Sequence, residues 1–439
     1  MKIRGIVAMG AIALTTISLA ACSSGSGSTD ASSASSTDAS SAASTEQVSL
    51  TFQSLSDQPA AIAATKSIVD KWNSANPNTQ VTIVSAGWDS VADKLTTQFS
   101  GKVAPDIIHY EAAGIVPFAT DGYLADLTSL IDPTLKSDVP QGVWDSVTVD
   151  KKVVAVPTEL QSYMVFANKS LLDAAGVTIP TGDTMTWDQF RQIAKATSQN
   201  KTYGVGWGLK SPTATFMSLG LGFGGTYFEG TGKSATMHIG TGEMAVPTQV
   251  HEMAYTDKSI DPVSLTQSGS EVLAAFYAGK EAMTVQGSYQ AANMAKNAPA
   301  GFDWIVLPPL KGSVGPAQSA NPQTLSVNVD SKHVKEAAEF INYFASTDNL
   351  AALNTADALI PASASAQAKI AKDTNGADGW AMVLKSGADL TRAPFLSVGA
   401  YSQWKDTVAT PAYQKYLANQ IDAAQLAKDL TDGWAQVSR

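Results

Sequence analysis

Val48-Ser49-Leu50-Thr51-Phe52 alternates apolar and polar positions, which predicts a strand. Ala60 to Asn73 then carries Ile62, Ile68, Val69 and Trp72 at helical spacing, and Asn76-Pro77-Asn78 breaks it. Val81-Thr82-Ile83-Val84 predicts a second strand. Asp89 opens a helix through Phe99 with Val91, Leu95 and Phe99 on one face, and Pro105 to Ile108 predicts a third strand. Strand, helix, strand, helix, strand implies an α/β fold with a mainly parallel sheet. Further on, Lys152 to Val156 is extended. Trp187 to Thr197 is a helix with Thr186 as its N-cap. Glu271 to Ala278 is a helix that leads by Gly279 into a buried strand ending at Val285. Trp304 to Leu307 and Leu325 to Val329 are strands, Val334 to Phe344 is an amphipathic helix, and the chain is helical from Ala412. No internal repeat is visible.

The first 46 positions have no such pattern. Lys2 and Arg4 precede an apolar run from Ile6 to Ala21 that ends Leu19-Ala20-Ala21-Cys22. The run is too short to span a bilayer stably, and small residues lead up to the cysteine. This is the form of a bacterial lipobox, so residues 1–21 are expected to be a signal peptide and Cys22 the lipidated first residue. Residues 22–46 hold almost only Ser, Ala, Gly, Thr and Asp beyond that cysteine, too little apolar surface to offset their own ordering. They read as a tether reaching about 25–30 Å by random-coil scaling. Cys22 is the only cysteine, so no disulfide framework exists. The formal charge is −10, or −12 once the leader with Lys2 and Arg4 is removed. An acidic chain lacks the electrostatic footprint of a nucleic-acid binder and is repelled by anionic lipid, so membrane attachment would rest on acyl chains. Nearly 400 remaining residues are enough for two lobes.

Six short blocks occur in an order that resembles the extracellular solute-binding proteins of ABC importers, in the carbohydrate-binding family that includes maltose-binding protein. They are Ala104-Pro105-Asp106-Ile107-Ile108, Gly122 to Leu127, Val153 to Pro157 with Ala167-Asn168-Lys169, Thr186 to Phe190, Phe276 to Val285 with Gly287, and Asp303 to Pro308. The resemblance covers nearly all of Val48 to Val437. It implies two α/β lobes joined by crossing strands, with ligand in the cleft between them. Mapped onto this chain, lobe one takes 47–158 plus 320–360 and lobe two takes 163–312 plus 365–439. The crossings then fall near 158–163, 311–321 and 359–365. The resemblance also implies a sugar or short oligosaccharide as cargo, an ABC permease as partner and a monomer. It implies no cofactor and no metal.

Sugar hydroxyls need planar groups that donate and accept, and sugar C–H faces need aromatic rings. In open α/β sheets ligands lie beyond the carboxyl ends of strands. That rule selects Asp57, which either accepts a hydroxyl or caps the next helix, and Trp88, which either stacks on sugar or packs. It also selects Tyr110 and Glu111 after the third strand, where relatives place a stacking aromatic. Glu159 lies beside the first crossing, where relatives bring a carboxylate to ligand, with Gln161 or Tyr163 as substitutes. Trp207, in Gly204-Val205-Gly206-Trp207-Gly208, is a candidate platform. Gly287-Ser288-Tyr289 stands where the family has Gly-x-Trp, so Tyr289 would stack there. Arg392, with Tyr401 and Trp404 after it, matches a segment that returns side chains to the cleft.

Two other classes compete. An exported glycoside hydrolase needs a carboxylate pair, which Asp57, Glu111 or Glu159 could supply, yet no block looks like a hydrolase signature. Gly222-Phe223-Gly224-Gly225 lacks the Lys-Ser/Thr of a phosphate loop, and the four histidines show no metal-ligand spacing. The same fold could instead carry a polyamine, peptide or metal chelate.

Overall fold

The computed structural model describes residues 47–88, 90–230 and 234–438. Cys22, the leader, the tether and Asp89 lie outside the described residues. Two sheets, each covered by helices, organise the folded part. The first runs in the order Ile360–Pro361, Ala155–Leu160, Gln323–Val327, Ile107–Glu111, Val48–Ser54, Thr79–Ser85. Its last three strands pair in parallel, and the other three pairings are antiparallel. The mainly parallel sheet expected from the strand–helix alternation is thus mixed. The cause is Gln323–Val327, which returns from far along the chain and inserts antiparallel between Ile107–Glu111 and Ala155–Leu160. That partner also lengthens the third strand. His109, Tyr110 and Glu111, expected in a loop, have their backbone paired and are strand residues.

The second sheet runs Trp304–Val306, Tyr163–Asn168, Glu281–Gly287, Tyr203–Gly206. Glu281–Gly287 is buried at every position. The predicted helix Trp187–Thr197 closes its first turn with a full capping box, Thr186 with Gln189. Ser268 and Glu271 do the same for Gly269–Tyr277. Helix Pro59–Ala75 buries Ala61, Thr65, Ile68, Val69 and Trp72. Ile62, assigned to that face from sequence, is 47% exposed, because the buried stripe runs one position ahead of it.

The chain leaves the first sheet at Leu160 and joins the second at Tyr163, with only Gln161 and Ser162 between. A later passage contains Gln318–Ser319, which pairs in parallel with Leu390–Thr391. The Gln318 amide ties two passages together: its Oε1 accepts from Tyr163 N–H (2.7 Å) and its Nε2 donates to Tyr163 O (3.0 Å). The third passage therefore falls near 390, not at 359–365. Ile360–Pro361 pairs within the first sheet, and helix Ala364–Thr374 packs beside it, with Ser365 N–H and Oγ–H donating to Asp138. Ala366 and Ile370 are buried in that helix, which packs on Thr347–Asp357 and Ile360–Pro361 and so sits with the first sheet, although the sequence boundary at 365 assigned it to the second lobe. Helices Thr410–Leu417 and Ala423–Val437 complete the second core.

Candidate functional site

Three strands of the first sheet end at one rim. Register sets Gln323 opposite Glu111 on one side, where paired residues project from the same face, and, across a register irregularity, opposite Glu159 on the other. Two cavities meet at Gln161, the short link between the sheets. The larger, about 450 Å³, is bounded by Asp57, Trp88, Gln323 and Asp357 from the first lobe and by Tyr289 and Lys296 from the second. The smaller and more enclosed, about 120 Å³, has Glu111, Asn321, Tyr163, Tyr401 and Lys405 in its wall.

His109 fixes the rim of the larger cavity. Leu55 N–H donates to its Nδ1 (3.1 Å), so Nε2 carries the ring proton and donates to Gln323 Oε1 (2.6 Å). Burial holds the imidazole neutral, with its pKa lowered to about 4. Trp88 stands edge-on to this ring, with centroids 5.8 Å apart. Across the cavity, Tyr289 lies against Gly287. A Cβ at Gly287 would come 2.4 Å from the Tyr289 ring, so any larger residue there would displace the ring.

Glu159 is 1% exposed, and its Oε1 has no hydrogen-bond partner. Burial, and then the nearby Asp357 charge, push its carboxyl well above the usual range. Asp357 is itself raised to about 6, first by burial and then by Asp57. It is the last residue of helix Thr347–Asp357, where the negative end of the helix dipole disfavours a carboxylate. Ala358 then caps the helix in the left-handed region, φ 61°.

Glu111 Oε2 accepts from Asn321 Nδ2 (3.0 Å), and Asn321 Oδ1 accepts from Ala113 N–H (3.0 Å). Tyr401 packs on Phe395, and burial pushes its phenol well above 10. Four residues on, Lys405 starts a π-helical turn through Ala409, a distortion frequent at functional sites.

Among the sequence candidates, Asp57, Trp88 and Tyr289 meet in the larger cavity, and Glu111 and Tyr401 in the smaller. Glu159 is near the end of a strand of the same rim but borders neither cavity. Three candidates are placed elsewhere. Trp207 is 2% exposed, clasped by Trp187 and Phe216 in the second core, so neither face is free to stack on a sugar. Arg392 is exposed, its Nη2 donates to Ser397 Oγ (3.3 Å), and it borders neither cavity. Tyr110 packs beside Trp88 and over Gly114, where a Cβ would meet the ring at 2.2 Å, and it too borders neither cavity. Trp404, named beside Tyr401, is fully buried and donates its indole N–H to Leu430 O (3.1 Å). Gln323, Asp357 and Lys405 were not singled out from sequence. Only Lys405 had a local signal, one helical turn after Tyr401.

Two α/β lobes with a polar, aromatic-edged cleft at their junction define a binding protein of the periplasmic type. Residues 56–351 match the family model of bacterial extracellular solute-binding proteins, and the chain belongs to that family. An uncharacterized lipoprotein in the oleD 5' region of Streptomyces antibioticus is 38% identical over 391 residues, 88% of this chain and 86% of that one. The cyclic alpha-maltosyl-1,6-maltose binding protein of Arthrobacter globiformis shares the fold. Its TM-score is 0.77 at 17% identity over 89% of this chain and 99% of that one. The GacH receptor of Streptomyces glaucescens GLA.O, solved unliganded and with acarbose, gives 0.72 at 20% identity over 89% and 98%.

Proposed function

We propose that this chain is the lipid-anchored receptor of an ABC importer, which captures a sugar or short oligosaccharide outside the cell and passes it to the membrane permease. The observation that carries this reading is the larger cavity. Trp88 from one lobe and Tyr289 from the other offer ring surface, with the Gln161, Gln323 and Asn293 amides and the Asp57 carboxylate between them. This is the mixture that C–H faces and hydroxyl rims require. Family membership and the sugar-binding structural neighbours support it. Because the cleft must release its cargo, an affinity near micromolar, about −8 kcal/mol, suits the task. Cys22 would hold the receptor at the membrane while the tether lets the lobes reach the permease.

The test is a thermal-shift screen of the chain from Glu46 onward against mono- and oligosaccharides, polyamines and peptides, with product analysis of any hit. A ligand specific to the folded state raises Tm by mass action. A shift of several degrees with one saccharide series, left unconverted, is the expected result. A response confined to polyamines or peptides would overturn the sugar assignment, and conversion of the saccharide would make the protein an enzyme. The anchor has its own test: Cys22→Ser should release the full chain from membranes, and continued sedimentation with them would remove Cys22 from that role.

A further inference from the structure

The cleft opens to solvent at one end and stops against protein at the other. Asp57, Gln58, Pro59, Ala60 and Lys296 rim the larger cavity and are all exposed, so a chain lying there can run out into solvent. Behind the smaller cavity, helix Ala112–Thr120 of the first lobe packs on the 3₁₀ turn Pro394–Ser397 of the second. Ala113 is buried within the second lobe's apolar cluster, and with Phe395 and Leu396 it makes an apolar end wall.

The two cavities also differ in size and in what they offer a sugar. A cavity on the order of 150 Å³ takes a single benzene-sized ring. At about 120 Å³, the smaller cavity admits the edge of one sugar ring and no second unit behind it. The larger, at about 450 Å³, has room for more than one unit and carries the ring surfaces of Trp88 and Tyr289. The smaller carries groups for hydroxyls. Asn321 Nδ2 donates one N–H to Glu111 Oε2 (3.0 Å) and keeps a second. The Lys405 ammonium stands 3.5 Å from its neighbour Asp406, whose carboxylate is exposed, so that pairing is weak. Gln161 is exposed and borders both cavities, which makes them one continuous path.

Resting on the sugar reading above, we propose that the cargo is a linear oligosaccharide recognised from a free chain end. Its terminal ring enters the smaller cavity, where Glu111, Asn321, Tyr401 and Lys405 meet its hydroxyls. The chain then crosses Gln161 into the larger cavity and continues past Lys296. A substituent on the buried terminus meets the end wall, whereas an addition at the opposite terminus lies in solvent.

Calorimetry on the protein would use maltotriose, isomaltotriose, cellotriose, xylotriose and β-1,4-mannotriose. Each is compared with its monosaccharide, its alditol, and a form methylated on the non-reducing terminal ring, with α-cyclodextrin as a ring-closed comparison. For the series that binds, the trisaccharide should be at least tenfold tighter than its monosaccharide. One end modification should cost at least tenfold and the other should be tolerated. Lys405→Met and Glu111→Gln should each erase most of the difference between free and modified ends without lowering Tm. Trp88→Ala should weaken both forms alike and keep their ratio. Tolerance of both modifications, sensitivity to both, a monosaccharide as tight as its trisaccharide, or equal binding of α-cyclodextrin would overturn end recognition and leave the sugar receptor standing. An unchanged ratio in folded Lys405→Met and Glu111→Gln would remove the smaller cavity from that role. Silence from every saccharide would instead overturn the sugar reading itself.

Discussion

Trp88 and Trp207 each succeed a glycine just past the end of an edge strand, Thr79–Ser85 in one sheet and Tyr203–Gly206 in the other. Strand-end logic treats them alike, but the molecule does not. Trp88 is half-buried on the cleft and stands edge-on to a neutral histidine. Trp207 is sealed among Trp187 and Phe216. The difference lies in the downstream segment of each. Beyond Trp88 come Ser90 and a helix whose outer face is polar, and the ring stays half-buried. Beyond Trp207 come Gly208, buried Leu209 and then the apolar helix Thr213–Gly220, which closes over it. A strand end is therefore wet or dry according to the next ten residues, not according to the aromatic itself.

Each strand end also hides an ionisable group, and the two respond to pH in opposite senses. Glu281 lies over Gly206, next to Trp207, with both carboxyl oxygens unpartnered. Its pKa is raised to about 8 by burial and then by Asp261. Its contribution to stability is fully present below the unfolded value of 4.5 and is lost as pH rises through 8. Glu281→Gln should recover roughly 4–5 kcal/mol at pH 8 relative to pH 4.5. Denaturant midpoints across that window measure it, and parallel curves for parent and variant would mean that this strand end is not dry. Next in size, Trp207→Ala should cost about 3–5 kcal/mol of stability. A folded variant of unchanged Tm that had lost only ligand would reverse the contrast between the two tryptophans.

At the other strand end, His109 is lowered to about 4 from an ordinary 6.5 by burial. Its contribution is present above 6.5 and lost as pH falls through 4, about 3 kcal/mol in all. His109→Gln should flatten the acid limb of the stability curve. An unchanged limb would show that the ring beneath Trp88 is hydrated. The smallest effects are expected on the cleft itself. Trp88→Ala and Tyr289→Ala should each weaken binding by a little over about 1 kcal/mol with little change in Tm. Calorimetry and melting on the same samples separate the two quantities, and intact affinity in both variants would remove the rings from recognition.

The α/β class was legible in local signals, namely alternation in Val48–Ser54, the Thr186 cap and the Gly279 turn into Glu281–Gly287, whereas the two-lobed arrangement followed from the resemblance of the ordered blocks to the family. Asp57 and Glu111 were selected because each ends or succeeds a strand, and Tyr289 because it stands where the family has Gly-x-Trp; all three line one of the two cavities. Sequence could not distinguish Trp88 from Trp207, since covering is a tertiary event. Nor did it single out Gln323 or Asp357. Gln323 matters through its pairing with Glu111 and Glu159, more than 160 positions away. Asp357 reads locally as an ordinary charge at a helix end. Its meaning comes from Asp57 and Glu159, which the fold brings to it.

The strand Gln323–Val327 sits inside the first sheet, between partners made long before it. During synthesis, residues 48–160 therefore wait with two inner strand edges unpaired until about 170 more have been added. Exposed edges of that kind invite pairing with other chains. Contacts at such sequence separation also slow folding. A chain truncated before residue 323 would expose both edges permanently. Its expected fate is aggregation, not a stable half-protein.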